Sequence, residues 1–269
     1  MSSVRRPHPD LVDEREPEAW QFPRVEVVRV ASVTPRMTRI TFALDGFVPD
    51  LPDQHFKIFF PRGRTDGPVV PIGPDWYRRL RAVPPERRPD MRLYTIREIR
   101  PGEVDVDFVL HGDEGPGSRF ALNARPGDVV GIYGPVGTYL PLPKDDWVLL
   151  VGDETGLPAI GAILESLPEG LPVMVFAEIA DAAERQPLRS AGELTLTWLH
   201  RDGRPAGGTD LLPEAVRRAV FPKGRGYAWV AAESAAVKAV RRHLVGERGF
   251  AKEDVEFAGY WSHGEVDEL

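Results

Sequence analysis

The sequence predicts a β-plus-α/β protein: an N-terminal six-stranded antiparallel Greek-key barrel followed by a Rossmann-like parallel α/β domain. Two observations predict it. The first half consists of short runs that alternate apolar and polar residues and stop at Gly, Pro or Asp, the pattern of half-exposed strands. The second half alternates continuous apolar runs with helix-like segments, the pattern of a parallel sheet covered on both faces. The change falls near Leu140-Pro141-Leu142-Pro143-Lys144. Residues 1–20 therefore read as a flexible arm, 21–143 as the barrel domain and 144–269 as the α/β domain with a C-terminal tail.

The bulk numbers narrow the function. A chain of 269 residues buries a full core without staples. It has no cysteine, which removes disulfides, thiolate zinc sites, iron–sulfur clusters and cysteine nucleophiles together. A net charge of −7 argues against nucleic acid, because phosphate neutralisation needs a basic surface. The N-terminus lacks the apolar core of a signal peptide, and no window approaches the length of a membrane span. The expectation is a cytoplasmic monomer with no membrane partner.

Along the first half, RVEVVRVASV, MTRITFAL, HFKIFF, MRLYTIREI, EVDVDFVLHG and DVVGIYG are the six strands. In EVDVDFVL, Val104, Val106 and Phe108 share one face, and Asp105, Asp107 and Val109 the other. The excursion from Pro61 to Pro89 holds a short helix at DWYRRL. The arginine-rich run RRLRAVPPERRPDMR reads as a solvated face. Along the second half, WVLLVG, PVMVFAEI, LTLTWLHR, YAWVAAE and DVEFAGYW are strands. LPAIGAILESL, GTDLLPEAVRRAV and SAAVKAVRRHLVGERG are helices.

Four stretches carry chemistry. MRLYTIR packs two guanidiniums, a phenol and a hydroxyl into one strand, with Arg92, Tyr94 and Ile96 on one face and Leu93, Thr95 and Arg97 on the other. The first face suits a long flat ligand with phosphates. HGDEGPGSRFALNA is a glycine turn opening a helix, with Ser118 as its cap and His111 at the preceding strand end. Free N–H groups and the helix dipole there favour an anion. GDETGLPAIGAIL follows the first parallel strand, where open sheets bind ligands, and Thr155 points its hydroxyl at the crevice. Its glycines do not form G-x-G-x-x-G. AGYWSHGE ends the last strand with Tyr260 and Trp261 at that same carboxyl edge. Together these point to two nucleotide cofactors meeting at a domain seam.

The chain resembles the siderophore-interacting protein family. The resemblance rests on R-P-x-M-R-x-Y-T-x-R at Arg88–Arg97, D-F-V-L-H-G at Asp107–Gly112, G-P-G-S at Gly115–Ser118, G-D-E-T at Gly152–Thr155 and G-Y-W at Gly259–Trp261. That family contains flavin-dependent ferric-siderophore reductases and belongs to the ferredoxin–NADP reductase superfamily. The resemblance implies a barrel that holds FAD and an α/β domain that admits NADH or NADPH. It implies Arg92 on the FAD diphosphate, Tyr94 against the isoalloxazine and Thr95 near the flavin N5. Asp107, Val109 and His111 would line the ribityl and adenosine side, and Gly117 and Ser118 would meet the phosphates through backbone N–H groups. Thr155 and Trp261 would approach from the second domain. No general acid or base and no protein-held metal is implied.

The resemblance also implies basic residues around the substrate. Lys57 matches one such position, but Ser262 and His263 stand where the family usually carries a lysine or arginine after G-Y-W. With a net charge of −7, a ferric siderophore of low charge, hydroxamate or mixed-ligand, is the expected substrate. Glu178, ending the second parallel strand, leans the donor towards NADH by bonding a ribose 2′-OH. Reduced ferredoxin is a further donor. The alternatives are a general NAD(P)H:flavin or quinone-type oxidoreductase on the same scaffold, and a non-catalytic siderophore-binding flavoprotein.

Overall fold

A computed structural model describes residues 21–46, 51–62, 73, 75–113, 115–136 and 145–264. The expected N-terminal arm and the domain junction at 143/144 lie outside these residues. Six strands close the barrel: β1 (Gln21–Thr34), β2 (Met37–Ala43), β3 (His55–Phe60), β4 (Asp90–Arg100), β5 (Glu103–Val109) and β6 (Val129–Val136). Their spatial order is β1-β2-β5-β4-β3-β6, every pair antiparallel, which is the Greek-key order expected. Alternation fills the interior: Phe56, Ile58 and Phe60 of β3 meet Val104, Val106 and Phe108 of β5 in one core. Helix α1 (Trp76–Ala82) lies in the excursion after β3, as expected, and covers Phe59 with Leu80.

The second sheet is parallel, in the order β11-β10-β7-β8-β9. Its strands are β7 (Trp147–Gly152), β8 (Pro172–Ile179), β9 (Glu193–His200), β10 (Gly226–Glu233) and β11 (Val255–Trp261). Every residue of β7 and β10 is buried, because both faces of the sheet are covered. Trp147, Leu149 and Val151 join the core under α4 (Leu211–Arg218) and α5 (Ser234–Gly246). Val148 and Leu150 join the opposite core, under α3 (Leu157–Ser166).

That second core is shared between the domains. Met37 of the β1–β2 hairpin is 1 % exposed and sits within it, with Val33 and Val109 packed alongside. Burying such a side chain contributes roughly 1.5–3 kcal/mol. Beside it, Glu184 in a 3₁₀ turn (Ala182–Glu184) is 3 % exposed. Its carboxylate accepts from the Thr34 hydroxyl at 2.5 Å and the Arg36 N–H at 3.1 Å. The hairpin is thus fastened to the α/β domain by an apolar plug and a charged acceptor next to each other.

Removing that acceptor strands two donors at a buried seam. Glu184→Ala is expected to cost about 1–3 kcal/mol in denaturant unfolding of the whole chain. Glu214→Ala, which breaks only an exposed pair with Arg218 on α4, is expected to cost about 0.5 kcal/mol or less. Equal costs for the two would contradict the fastening.

Candidate functional site

Strand β4 has two working faces. Ile96 and Tyr94 turn towards the barrel core. Thr95 and Arg97 turn towards the α/β domain, so the alternation read from MRLYTIR holds through Arg97. Thr95 is buried and hydrogen-bonded to the hydroxyl of Tyr260 from β11, and burial pushes the Tyr260 phenol well above its usual range. Arg97 forks onto Glu165 of α3 at 2.7 and 2.9 Å. Its guanidinium lies on Gly161, where a Cβ would come within 2.9 Å of Nε. Gly161 therefore serves the seam and not a phosphate loop. Trp229 of β10 donates its indole N–H to buried Asp53, 3.3 Å away, adding a third strap between the domains.

On the inner side, the Tyr94 ring packs on Phe108 with centroids 4.2 Å apart, and burial pushes its phenol up. Its hydroxyl lies directly over Gly117 of α2 (Pro116–Asn123), where a Cβ would stand 1.7 Å from the oxygen. Only glycine fits under that ring. Gly115 caps α2, and Ser118 lies inside the helix, contrary to the expected Ser118 cap. The Ser118 hydroxyl is buried; it donates to the Gly112 carbonyl and accepts from the His111 N–H at 3.1 Å, which pins the turn. The first-turn N–H groups of Gly117 and Ser118 are at the end where an α-helix leaves donors without intrahelical partners. His111 packs its ring against Gly115. Arg92 is half-buried, and its guanidinium donates to the carbonyl of its neighbour Met91 at 2.7 Å. No carboxylate pairs with it among the described residues.

These features fit FAD. A guanidinium that no carboxylate neutralises among the described residues, a helix N-terminus and a tyrosine ring held over it by a close glycine contact lie along β4 and α2. Asp107 is different: it is 4 % exposed and accepts from Arg39 through both oxygens, at 2.7 and 2.8 Å. Its carboxylate belongs to an ion-pair lattice on the barrel wall. Its neighbour in that lattice, Asp105, is opposed by burial but held below the usual carboxylate range by Arg100 and Thr41. Val109 packs into the interdomain core.

At the carboxyl edge of the parallel sheet, Asp153 collects the elements. It accepts from the Thr155 N–H and hydroxyl, the Glu233 N–H at 2.9 Å and the Trp261 indole N–H at 2.8 Å. Burial pushes its carboxyl up, against those donors. The Thr155 hydroxyl therefore turns back into the turn, not towards the crevice as expected, because a buried carboxylate takes every donor within reach. Glu178 is also corrected. It is 5 % exposed, bonded to Thr209 at 3.0 Å and to buried Arg201 at 3.4 Å, and Arg201 also pairs with Glu154. Glu178 thus ties β8 to β9 within the fold, and the lean it gave towards NADH is lost.

The two expected substrate residues sit on different walls. Lys57 lies on the outer face of β3 beside Trp76 and Tyr133. His263 is exposed past β11, against Gly207. Asp53, Asp153, Glu184 and the seam role of Arg97 were not read from the sequence. Asp153 alone had a signal, as the acid that ends a wholly apolar run within G-D-E-T.

A closed six-stranded Greek-key barrel followed by a parallel α/β domain is the ferredoxin reductase-like fold. A siderophore utilization protein from T. fusca superposes with a TM-score of 0.81 at 36% identity, covering 93% of this chain and 98% of that one. The siderophore-interacting protein of Aeromonas hydrophila gives 0.77 at 30% identity, over 94% and 95% of the two chains. The ferric vibriobactin reductase of Vibrio cholerae is 32% identical over 92% of each chain. The model of the siderophore-interacting FAD-binding domain matches residues 26–139, and that of the siderophore-interacting protein matches residues 145–264. The chain belongs to the siderophore-interacting protein family.

Gly117→Ala forces Tyr94 off the helix. FAD affinity is expected to fall about tenfold or more by flavin titration of the apoprotein, while Leu122→Ala on the exposed side of α2 changes it less than about twofold. Unchanged affinity in Gly117→Ala would separate this packing from the cofactor.

Proposed function

We propose that the chain is a flavin-dependent ferric-siderophore reductase: electrons pass from NAD(P)H to siderophore-bound Fe(III), and Fe(II) is released. The observation that carries this is the close packing of Tyr94 on β4 over Gly117 of α2, one residue along the strand from Thr95, which meets Tyr260 at the seam. Bound FAD supplies two-electron acceptance from a nicotinamide and one-electron release to Fe(III). The residues supply placement. Arg92 and the N–H groups of Gly117 and Ser118 neutralise the diphosphate. Tyr94 gives the flat ring a wall, and Thr95 presents a hydroxyl fixed by Tyr260. Val109 and His111 border the adenosine side, and Asp107 keeps β5 in register through Arg39. Thr155 and Trp261, both bonded to Asp153, shape the nicotinamide side. NADH, NADPH and reduced ferredoxin are all donors compatible with this arrangement.

Oxygen-donor siderophores hold Fe(III) far more tightly than the softer Fe(II), so reduction alone releases the metal. We assign Lys57 and His263 to the substrate. With Ser262 where the family usually has a cation, and a net charge of −7, low-charge hydroxamate or mixed-ligand chelates are favoured. We read the protein as a cytoplasmic monomer, placed with its supply of reduced nucleotide. No helix among the described residues is long and apolar enough to cross a membrane.

An anaerobic titration tests the reading. NADH or NADPH is expected to bleach the flavin, and a ferric hydroxamate to restore its colour with Fe(II) captured by a ferrous trap. Flavin that no donor bleaches, or a clear preference for ferric catecholates, would contradict the donor and the substrate assignments respectively. A pH profile adds a sign. Burial lowers the Lys57 ammonium below the ordinary lysine value, so the charged form is lost at lower pH than usual. The kcat/KM for an anionic chelate is therefore expected to fall as pH rises through that lowered value. Lys57→Gln is expected to flatten this decline.

A further inference from the structure

Asp53 lies in the turn just before β3 and is 3 % exposed. The carbonyl of the next residue, Gln54, accepts the Ile96 N–H at 2.8 Å, so this turn is held against β4 beside Thr95. Asp53 accepts from the Trp229 indole N–H at 3.3 Å, and the Trp229 ring stands edge-on to Tyr260, with centroids 6.3 Å apart. Tyr260 in turn is bonded to Thr95. His55, two residues on from Asp53, pairs with Thr95 across the ladder. A buried carboxylate is thus gathered with an indole, a phenol and an imidazole around Thr95, the residue that the resemblance places near the flavin N5.

The Asp53 charge reaches the hydroxyl that Thr95 meets. Burial, and after it the Asp53 charge, push the Tyr260 phenol well above its usual range. Burial also lowers the His55 imidazole against the pull of Asp53, so His55 is uncharged near neutral pH and adds no cation here. The strap to Trp229 does not account for the charge. At 3.3 Å the bond is long for an N–H donor, and an uncharged amide oxygen would accept it equally well. A carboxylate is costlier to bury than an amide.

We propose that the Asp53 carboxylate holds the bound flavin at a low reduction potential, by opposing the negative charge that arrives beside Thr95. This rests on the flavin reading and deepens it, because it assigns a residue to the strength of the reductant. A hydride brings two electrons and one proton, so its acceptor gains one negative charge. Two Fe(III) then take one electron each, and the proton returns to water. A fixed negative charge close by makes the gain less favourable and the later release more favourable. Chelates that hold Fe(III) tightly are hard to reduce, so a stronger reductant suits this substrate class. A unit charge acting over about 10 Å at an effective dielectric of about 20 is worth roughly tenfold in an equilibrium.

The test is an anaerobic dithionite titration of the FAD-loaded protein against a reference dye, which reads the flavin potential with no nicotinamide or siderophore present. Asp53→Asn keeps an acceptor for Trp229 and removes the charge. It is expected to raise the potential by about 30 mV, which is about tenfold for a two-electron couple. Oxidised FAD is expected to bind within about twofold of the parent protein, and reduced FAD about tenfold more tightly. Trp229→Phe does the reverse: it removes the indole donor, leaves the charge, and is expected to lower the potential by about threefold in the same equilibrium. A role confined to strapping the domains predicts no rise in Asp53→Asn, which keeps the bond. An unchanged potential in Asp53→Asn, or an unchanged or raised one in Trp229→Phe, would overturn the proposal. The second variant decides the matter if Asp53→Asn does not fold. A parent protein that takes up no FAD would overturn the flavin reading, and this proposal with it.

Discussion

One buried carboxylate holds the functional edge of the α/β domain together. Asp153 directly follows β7, yet its donors come from the turn into α3, from the end of β10 and from the end of β11. A fully desolvated carboxylate is costly unless each oxygen is satisfied. The need to satisfy it therefore dictates where Thr155 and Trp261 go. The next residue along the chain from Trp261, Ser262, is bonded to Ser234 at the start of α5, and Glu233 caps that helix. The geometry of this sheet edge thus follows from the solvation of one group.

The barrel side follows from β4. A single strand offers its inner face to the barrel core and its outer face to the second domain, because side chains alternate. Tyr94 and Thr95, adjacent in sequence, therefore point to opposite sides of the strand, Tyr94 into the barrel core and Thr95 onto Tyr260 of the second domain. The seam is built from unlike contacts: an apolar plug at Met37, a charged acceptor at Glu184, a forked pair at Arg97 and an indole bond to Asp53. Each is modest alone. Together they fix the second domain against β4 without any residue having to leave the barrel.

The fold was legible in the sequence because period and burial go together. EVDVDFVL and WVLLVG declare a half-exposed wall and a two-faced parallel strand on pattern alone. The site was legible in part. Arg92, Tyr94 and Gly117 were visible as a cation, a ring and a small residue at strand and turn spacing. Ion-pair partners were not, because Arg39 lies 68 positions from Asp107, and Arg201 lies 23 from Glu178. A lone carboxylate on a strand reads as exposed or functional until its distant partner is placed; Glu178 was read that way from its place at a strand end, whereas Asp107 was assigned to the cofactor by the family resemblance. The same limit hid Trp76 beside Lys57, since a helix in a long excursion gives no sequence signal of the strand it covers.

The proposed division of labour gives the flavin to β4 and α2 of the barrel and the electron donor to the sheet edge held by Asp153. Asp153→Asn tests it most directly, because the amide cannot satisfy all four donors. The measurement pairs FAD affinity with the rate of anaerobic flavin bleaching by NAD(P)H in one preparation. The account predicts FAD affinity within about twofold of the parent protein and bleaching slowed about tenfold or more. Loss of FAD in step with bleaching, or no change in either, would contradict it.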